Sequence, residues 1–169
     1  MAKKVAYGGI LTALSLVILY LAFCLPSMKI TMYFLASIVP GLMLVEMGVN
    51  QAWILYGATC LLAITLLGNP ASAIPYIFIF GLYPIIKYYI EKIRRMDIEI
   101  FLKLLFLNGT TALIYFIWKN LFMVNIVINI PVIWGIIGIQ PVFVFYDYIF
   151  TRVIFYYCDN ISIKWRKNL

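Results

Sequence analysis

Histidine is absent from this 169-residue chain, and acidic residues number only six against thirteen lysines and arginines. Without histidine, the commonest metal ligand and the usual proton shuttle near neutral pH are both missing, and many enzyme classes go with them. Cysteine is scarce as well. Cys24, Cys60 and Cys158 are odd in number and far apart, so they form neither a disulfide framework nor a metal-ligand spacing and read as buried apolar residues. No metal and no cofactor is expected. No glycine-rich phosphate loop and no nucleophile elbow is present, which argues against a built-in ATPase and against a serine hydrolase of that type. Tyr146-Asp147 is half of an intramembrane aspartyl protease pattern, but two carboxylates must share a proton there and no Gly-x-Gly-Asp supplies the second. No catalytic residue is assigned, and an enzyme is not expected.

Charge of either sign is also in short supply, at 11% of residues, where a soluble domain carries about 25%. In its place stand 66% hydrophobic residues and a mean hydropathy of +1.04. The apolar residues lie in runs of roughly 18 or more, the length that crosses a ~30 Å hydrocarbon layer. In lipid the backbone must satisfy its own hydrogen bonds, so only helices or a closed barrel can span, and continuous rather than alternating runs select helices. The expected fold is therefore all-α: a polytopic membrane protein, a compact bundle of about six transmembrane helices. Lys3 and Lys4 ahead of an apolar run imitate a signal peptide, but the aromatic Phe23 before Cys24 does not suit a processing site, so the run is expected to remain as the first helix.

Apolar runs and breakers place helix one over about Val5 to Leu25, stopped by Pro26, with a short turn at Ser27 to Thr31. Helix two covers about Met32 to Gly48 with Pro40-Gly41 in its middle, and Asn50-Gln51 leads into helix three, about Ala52 to Leu67. After the turn Gly68-Asn69-Pro70, helix four runs from about Ala73 to Ile90 and contains Gly81 and Pro84. A charged loop, Glu91 to Glu99, precedes helix five, about Ile100 to Leu121. The stretch Ile126 to Cys158 is too long for one ordinary span and too short for two, so a short external or re-entrant piece near Asn125 to Gly138 is expected before helix six. No repeat or linker divides residues 1–169, which form one domain.

With six spans, Lys3, Lys4, the Lys87 to Lys103 group, Arg152 and the tail Lys164, Arg166 and Lys167 fall on one side, leaving only Lys29 and Lys119 of the thirteen basic residues on the other. The positive-inside rule makes the first side cytoplasmic, with both ends in. This topology accounts for the net charge of +7 more simply than nucleic acid does, since no basic stripe is interleaved with aromatics. A multi-pass protein of a bacterial inner membrane is expected, with the bilayer as its constant partner.

Three groups of residues are candidates for function. In helix one, Gly8-Gly9 and Thr12-Ala13 make overlapping small-x-x-x-small patterns, which flatten a face for close packing within the bundle or onto another membrane subunit. Glu46, Lys87, Lys103, Asp147 and Arg152 lie within the cytoplasmic halves of their helices, where ionised groups are costly unless paired. They are expected to find one another, with Lys103 or Lys87 the partner of Asp147; an ion or proton pathway is the alternative. Near the outer ends, Lys29, Tyr33, Asn69, Trp118, Lys119, Asn129 and Trp134 mix hydrogen-bonding groups with aromatic walls. They suit a small-molecule pocket, although aromatic belts collect at the same level.

The basic start, the opening Lys-Lys-Val-Ala-Tyr-Gly-Gly-Ile-Leu-Thr-Ala and six short helices resemble the substrate-binding S component of energy-coupling factor (ECF) transporters. The likeness covers nearly the whole chain. It implies that Gly9 and Ala13, within Gly9-Ile10-Leu11-Thr12-Ala13, pack against a transmembrane coupling subunit bound to two ATPases. It also implies capture of a vitamin or other micronutrient in a pocket under the external loops, in the region of Lys29, Asn69 and Asn129. The competing expectation is a non-catalytic scaffold of a cell-envelope or cell-shape complex that binds proteins and no ligand.

Overall fold

The computed structural model describes the backbone of residues 2–68, 70–121 and 132–162, and the side chains of 5–68, 70–120 and 138–160. All described secondary structure is helical. Helix α1 spans Ala2–Cys24, α2 Lys29–Met47 and α3 Val49–Leu66. A broken rod follows, made of α4 (Pro70–Pro75), a π-helical turn (Tyr76–Phe80) and α5 (Tyr83–Glu91). Helix α6 covers Met96–Leu121 and α7 Val132–Tyr157.

Among the described residues, five stretches are long and apolar enough to cross a membrane: Val5–Cys24, Pro26–Met47, Val49–Leu66, Pro70–Glu91 and Met96–Asn120. The chain thus has the character of a multi-pass membrane protein. Residues such as Ile10, Val17, Ile54, Phe116 and Phe145 are exposed around the bundle. Such a distribution is compatible with a bilayer, which accepts apolar surface that water would penalise.

Several boundaries differ from the sequence expectation. Helix α2 starts at Lys29 rather than near Met32, because the Pro26–Met28 turn needs only three residues. Gly48 alone joins α2 to α3 at φ +90°, a conformation glycine adopts without a Cβ penalty, and this places Asn50 and Gln51 inside α3. Helix α6 begins at Met96, four residues before Ile100, with Asp97 and Glu99 in the first turn, where carboxylates favour the positive end of the helix dipole. The expected break before the last span is not at Gly138. Helix α7 runs unbroken from Val132 through Gly138 and Pro141; the rest of the expected external piece, 125–131, lies outside the described residues.

Small residues set the packing. Ala22, Ala36, Ala52, Ala63 and Ala73 are all fully buried, and side chains this small let α1 to α4 approach closely without relying on a hydrophobic force between helices. Towards the α1–α2 turn Ala22, Ala36, Ala63 and Ala73 pack with Leu19, Tyr33, Leu67 and Tyr76, and towards the other end Ala52 packs with Leu11, Val39, Met43, Leu55 and Ile85. A separate cluster of Tyr83, Leu107 and Phe143 joins α5, α6 and α7.

The π turn has a visible cause. The Gly81 amide donates to the Tyr76 carbonyl at 2.7 Å, one residue further back than in an α-helix. The neighbouring Ile77 carbonyl accepts the Tyr56 hydroxyl of α3 at 2.6 Å. Both carbonyls are therefore satisfied inside the bundle, as irregular backbone in a membrane requires.

Candidate functional site

The charged residues converge at the end of the bundle where α5 ends and α6 begins. On α5, Tyr83, Lys87 and Glu91 recur every fourth residue and line one face; Asp147 and Thr151 do the same on α7. Asp147 accepts the Tyr83 hydroxyl at 2.5 Å and Lys103 of α6 at 2.8 Å, and it pairs directly with Lys87. Lys87 also reaches Glu91 at 2.8 Å and Thr151 Oγ1 at 2.7 Å. Glu91 closes the loop with Lys103 at 3.1 Å. Two ammonium groups and two carboxylates balance to zero around a lysine whose side chain is 7% exposed. A buried charge persists only when so compensated.

Aromatic rings cover one side of the network. Tyr83 meets Phe143 edge-on at 5.0 Å and Tyr146 at 5.3 Å, and Lys87 Nζ lies 5.8 Å from the Tyr83 ring centroid and 5.9 Å from that of Phe150. The rings shield Lys87 from water, which strengthens its Coulombic contacts, and their faces attract the ammonium. The Tyr146 hydroxyl donates to Ser37 Oγ at 3.0 Å, and Ser37 donates to the Phe34 carbonyl, so the α7 side of this cage is tied to α2.

Of the five groups expected to pair, Lys87, Lys103 and Asp147 meet, while Glu46 and Arg152 stand elsewhere. Glu46 accepts the Tyr157 hydroxyl at 2.9 Å. Arg152 is exposed, bonds the Tyr148 hydroxyl at 3.1 Å and lies over its ring. The reason is angular: Arg152 follows Asp147 by five residues, about 140° around the helix, whereas Thr151 lies nearly in line. Glu91, Tyr83 and Thr151 were not among the expected members. The signal that identifies them is their four-residue spacing from Lys87 and Asp147, which stacks side chains on one face.

At the opposite end, the expected small-molecule residues are scattered. Tyr33 is buried, its hydroxyl donates to the Ser72 carbonyl at 2.6 Å, and its ring stacks on Phe80 at 5.7 Å. Those contacts pin α4 to α2. Lys29 is half-buried at the start of α2, and near the end of α6 Trp118 is half-buried and Lys119 exposed. Asn69, Asn129 and the Trp134 side chain lie outside the described residues. Two clefts border the charge network, one lined by Lys87, Glu91 and Thr151, the other by Lys103 and Asp147. A third runs along α7 beside Arg152 and Asp159. None of the three is lined by Lys29, Tyr33, Trp118 or Lys119.

Helix α1 has two unlike faces. Leu11, Ser15, Leu19 and Ala22 are buried against the bundle, and Gly8 approaches Met43, whose Cε would lie 3.5 Å from an added Cβ. The Thr12 hydroxyl folds back onto the Gly8 carbonyl at 2.8 Å, so its polar atom is satisfied within the helix. Gly9 and Ala13 point away from the bundle, and nothing lies within 4 Å of where a Gly9 Cβ would stand. Comparison with known proteins yields no match: no protein-family model, no curated protein and no solved structure matches the chain.

Proposed function

We propose that this protein is a non-catalytic, membrane-embedded substrate-binding subunit, similar to the S component of ECF transporters, that captures a small micronutrient or vitamin-like solute. It works by docking through α1 onto a transmembrane coupling subunit that carries separate ATPases. The proposed setting is the inner membrane of a bacterium, with both chain ends in the cytoplasm. The observation that carries this reading is the outward strip of Gly9 and Ala13, exposed and uncovered on a helix whose other face is packed. Glycine and alanine four residues apart permit a close helix approach, and the described residues leave that surface uncovered.

The sequence provides no nucleotide loop of its own, so uptake would draw energy from a partner. Gly9→Leu and Ala13→Leu are expected to leave folding unchanged, because both positions face away from the bundle. Each is expected to reduce co-purification with a co-expressed ECF coupling module by about tenfold, because a bulky side chain holds the helices apart. Undiminished association, or none by the parent protein, would remove the docking proposal.

A scaffold in a cell-envelope complex is the second reading, and a specific observation favours it. Tyr33, one of the residues expected to line the solute pocket, spends its hydroxyl on the Ser72 carbonyl and its ring on Phe80. Mass spectrometry of small molecules released from gently purified protein, with a thermal-shift screen of vitamins and their precursors, separates the two. A ligand that binds only the folded state must stabilise it, by about 2.7 kcal/mol at a hundredfold excess over Kd. A stoichiometric solute that raises the melting temperature supports capture, and an empty, unresponsive protein supports the scaffold.

A further inference from the structure

We propose that the cleft between α6 and α7 binds the headgroup of an ethanolamine phospholipid from the surrounding bilayer. The cleft has a volume of about 240 Å³ and carries Glu99, Lys103 and Asp147 as its polar lining. Around these stand Ile100, Leu104 and Val144. Ile100 and Val144 are more than half exposed, which opens the apolar wall to the hydrocarbon around the bundle.

Charge selects the ligand. Lys87 and Lys103 are neutralised within the network by Asp147 and Glu91. Glu99 makes no ion pair among the described residues, so the cleft keeps one uncompensated negative charge and attracts a cation. Hydrogen bonding narrows the cation further. Carboxylates are acceptors only, and a primary ammonium offers three N–H groups to them, whereas a trimethylated ammonium offers none.

The same cleft also offers something to a phosphate. Lys103 donates to Glu91 and Asp147, and an ammonium has a third N–H to give. Glu99 lies in the first turn of α6, and Lys103 is one turn deeper, about 6 Å along the axis. A headgroup with its ammonium at Glu99 and its phosphate at Lys103 would therefore stand in the orientation of an ordinary bilayer lipid, with Ile100 beside the headgroup and the acyl chains leading over Leu104 and Val144. Polar pockets between membrane helices at headgroup depth bind lipids on this principle, apolar wall and charged rim together.

The test uses the full chain, delipidated in mild detergent and supplied in turn with phosphatidylethanolamine, phosphatidylcholine, phosphatidylglycerol and water-soluble phosphoethanolamine. Bound lipid is read by native mass spectrometry and stability by thermal unfolding. Phosphatidylethanolamine is expected to be retained and to raise the melting temperature. Glu99→Gln, which removes the charge, and Ile100→Trp, which fills the cleft from an exposed position, are each expected to weaken retention by about tenfold. Equal retention of phosphatidylcholine would show that the N–H groups are not read and overturn the proposal. Preference for phosphatidylglycerol would move the site to the exposed Lys92, Arg94 and Arg95 of the α5–α6 loop. Binding of phosphoethanolamine as tight as that of the lipid would make the ligand a solute, and retention of no lipid, or unaltered retention by both variants, would also overturn it.

Discussion

Asp147→Leu is expected to lower stability by about 3–5 kcal/mol, the cost of breaking a buried ion pair from one side. In this chain the loss has a definite electrostatic form. Two ammonium groups, Lys87 and Lys103, would be left sharing Glu91, at 2.8 and 3.1 Å, as their one carboxylate in the network. Tyr83, itself fully buried, would lose the acceptor of its 2.5 Å hydrogen bond. Thermal unfolding in nanodiscs reads the effect as a fall in midpoint of roughly 10 °C for a chain of this size.

The double variant Lys87→Leu with Asp147→Leu separates charge balance from packing. Removing both members leaves Lys103 and Glu91, one charge of each sign, so the double is expected to recover at least half of what the single loses. If the single variant unfolds at the parent temperature, the network contributes nothing measurable. If the double is no better than the single, the loss comes from shape rather than from charge.

Gly81→Ala is expected to destabilise by about 1–3 kcal/mol although it adds one methyl group, the range for overfilling a packed site. Gly81 has φ −77°, so its backbone would accept any residue. Space is what forbids the change. An added Cβ would lie 2.9 Å from Cε1 and Cζ of Tyr76 and 3.0 Å from Cε2 of Tyr56.

Neither ring can step aside cheaply. Tyr76 is fully buried, and the Tyr56 hydroxyl is committed to the Ile77 carbonyl at 2.6 Å. Gly9→Ala is the control, because it adds the same methyl where nothing lies within 4 Å. Unfolding of the two variants side by side should show a fall for Gly81→Ala and no fall for Gly9→Ala. Equal behaviour would mean that the π turn adapts and that Gly81 does not hold it.

Much of the helical pattern was legible in the residues. Runs of apolar residues between Pro26, the Gly68 turn and the charged loop mark rods because lipid leaves the backbone no partner but itself. The break inside the fourth rod was less legible. Gly81 and Pro84 announced an irregularity, but the π turn lies at Tyr76–Phe80, ahead of both, where the Tyr56 hydroxyl from another helix can take the Ile77 carbonyl. No local propensity encodes a donor that stands 21 residues away in sequence and next door in space.

The charged site divides along the same line. That Lys87, Lys103 and Asp147 need partners follows from their types and their apolar surroundings, because an unpaired charge in lipid costs several kcal/mol. The sequence by itself determined the apolar, multi-span character of this protein, its helical class and the demand for charge compensation, since these depend on composition and on the length of apolar runs. The tertiary structure decided which groups meet that demand: it brought Glu91 and Tyr83 in, turned Arg152 away and tied Glu46 to Tyr157. It also decided that Tyr33 is spent on Ser72 while Gly9 and Ala13 stay uncovered. The physical reason is that a residue's need for a partner is local chemistry, whereas the partner it finds depends on the rotation of each helix about its axis, set by the packing of all the others.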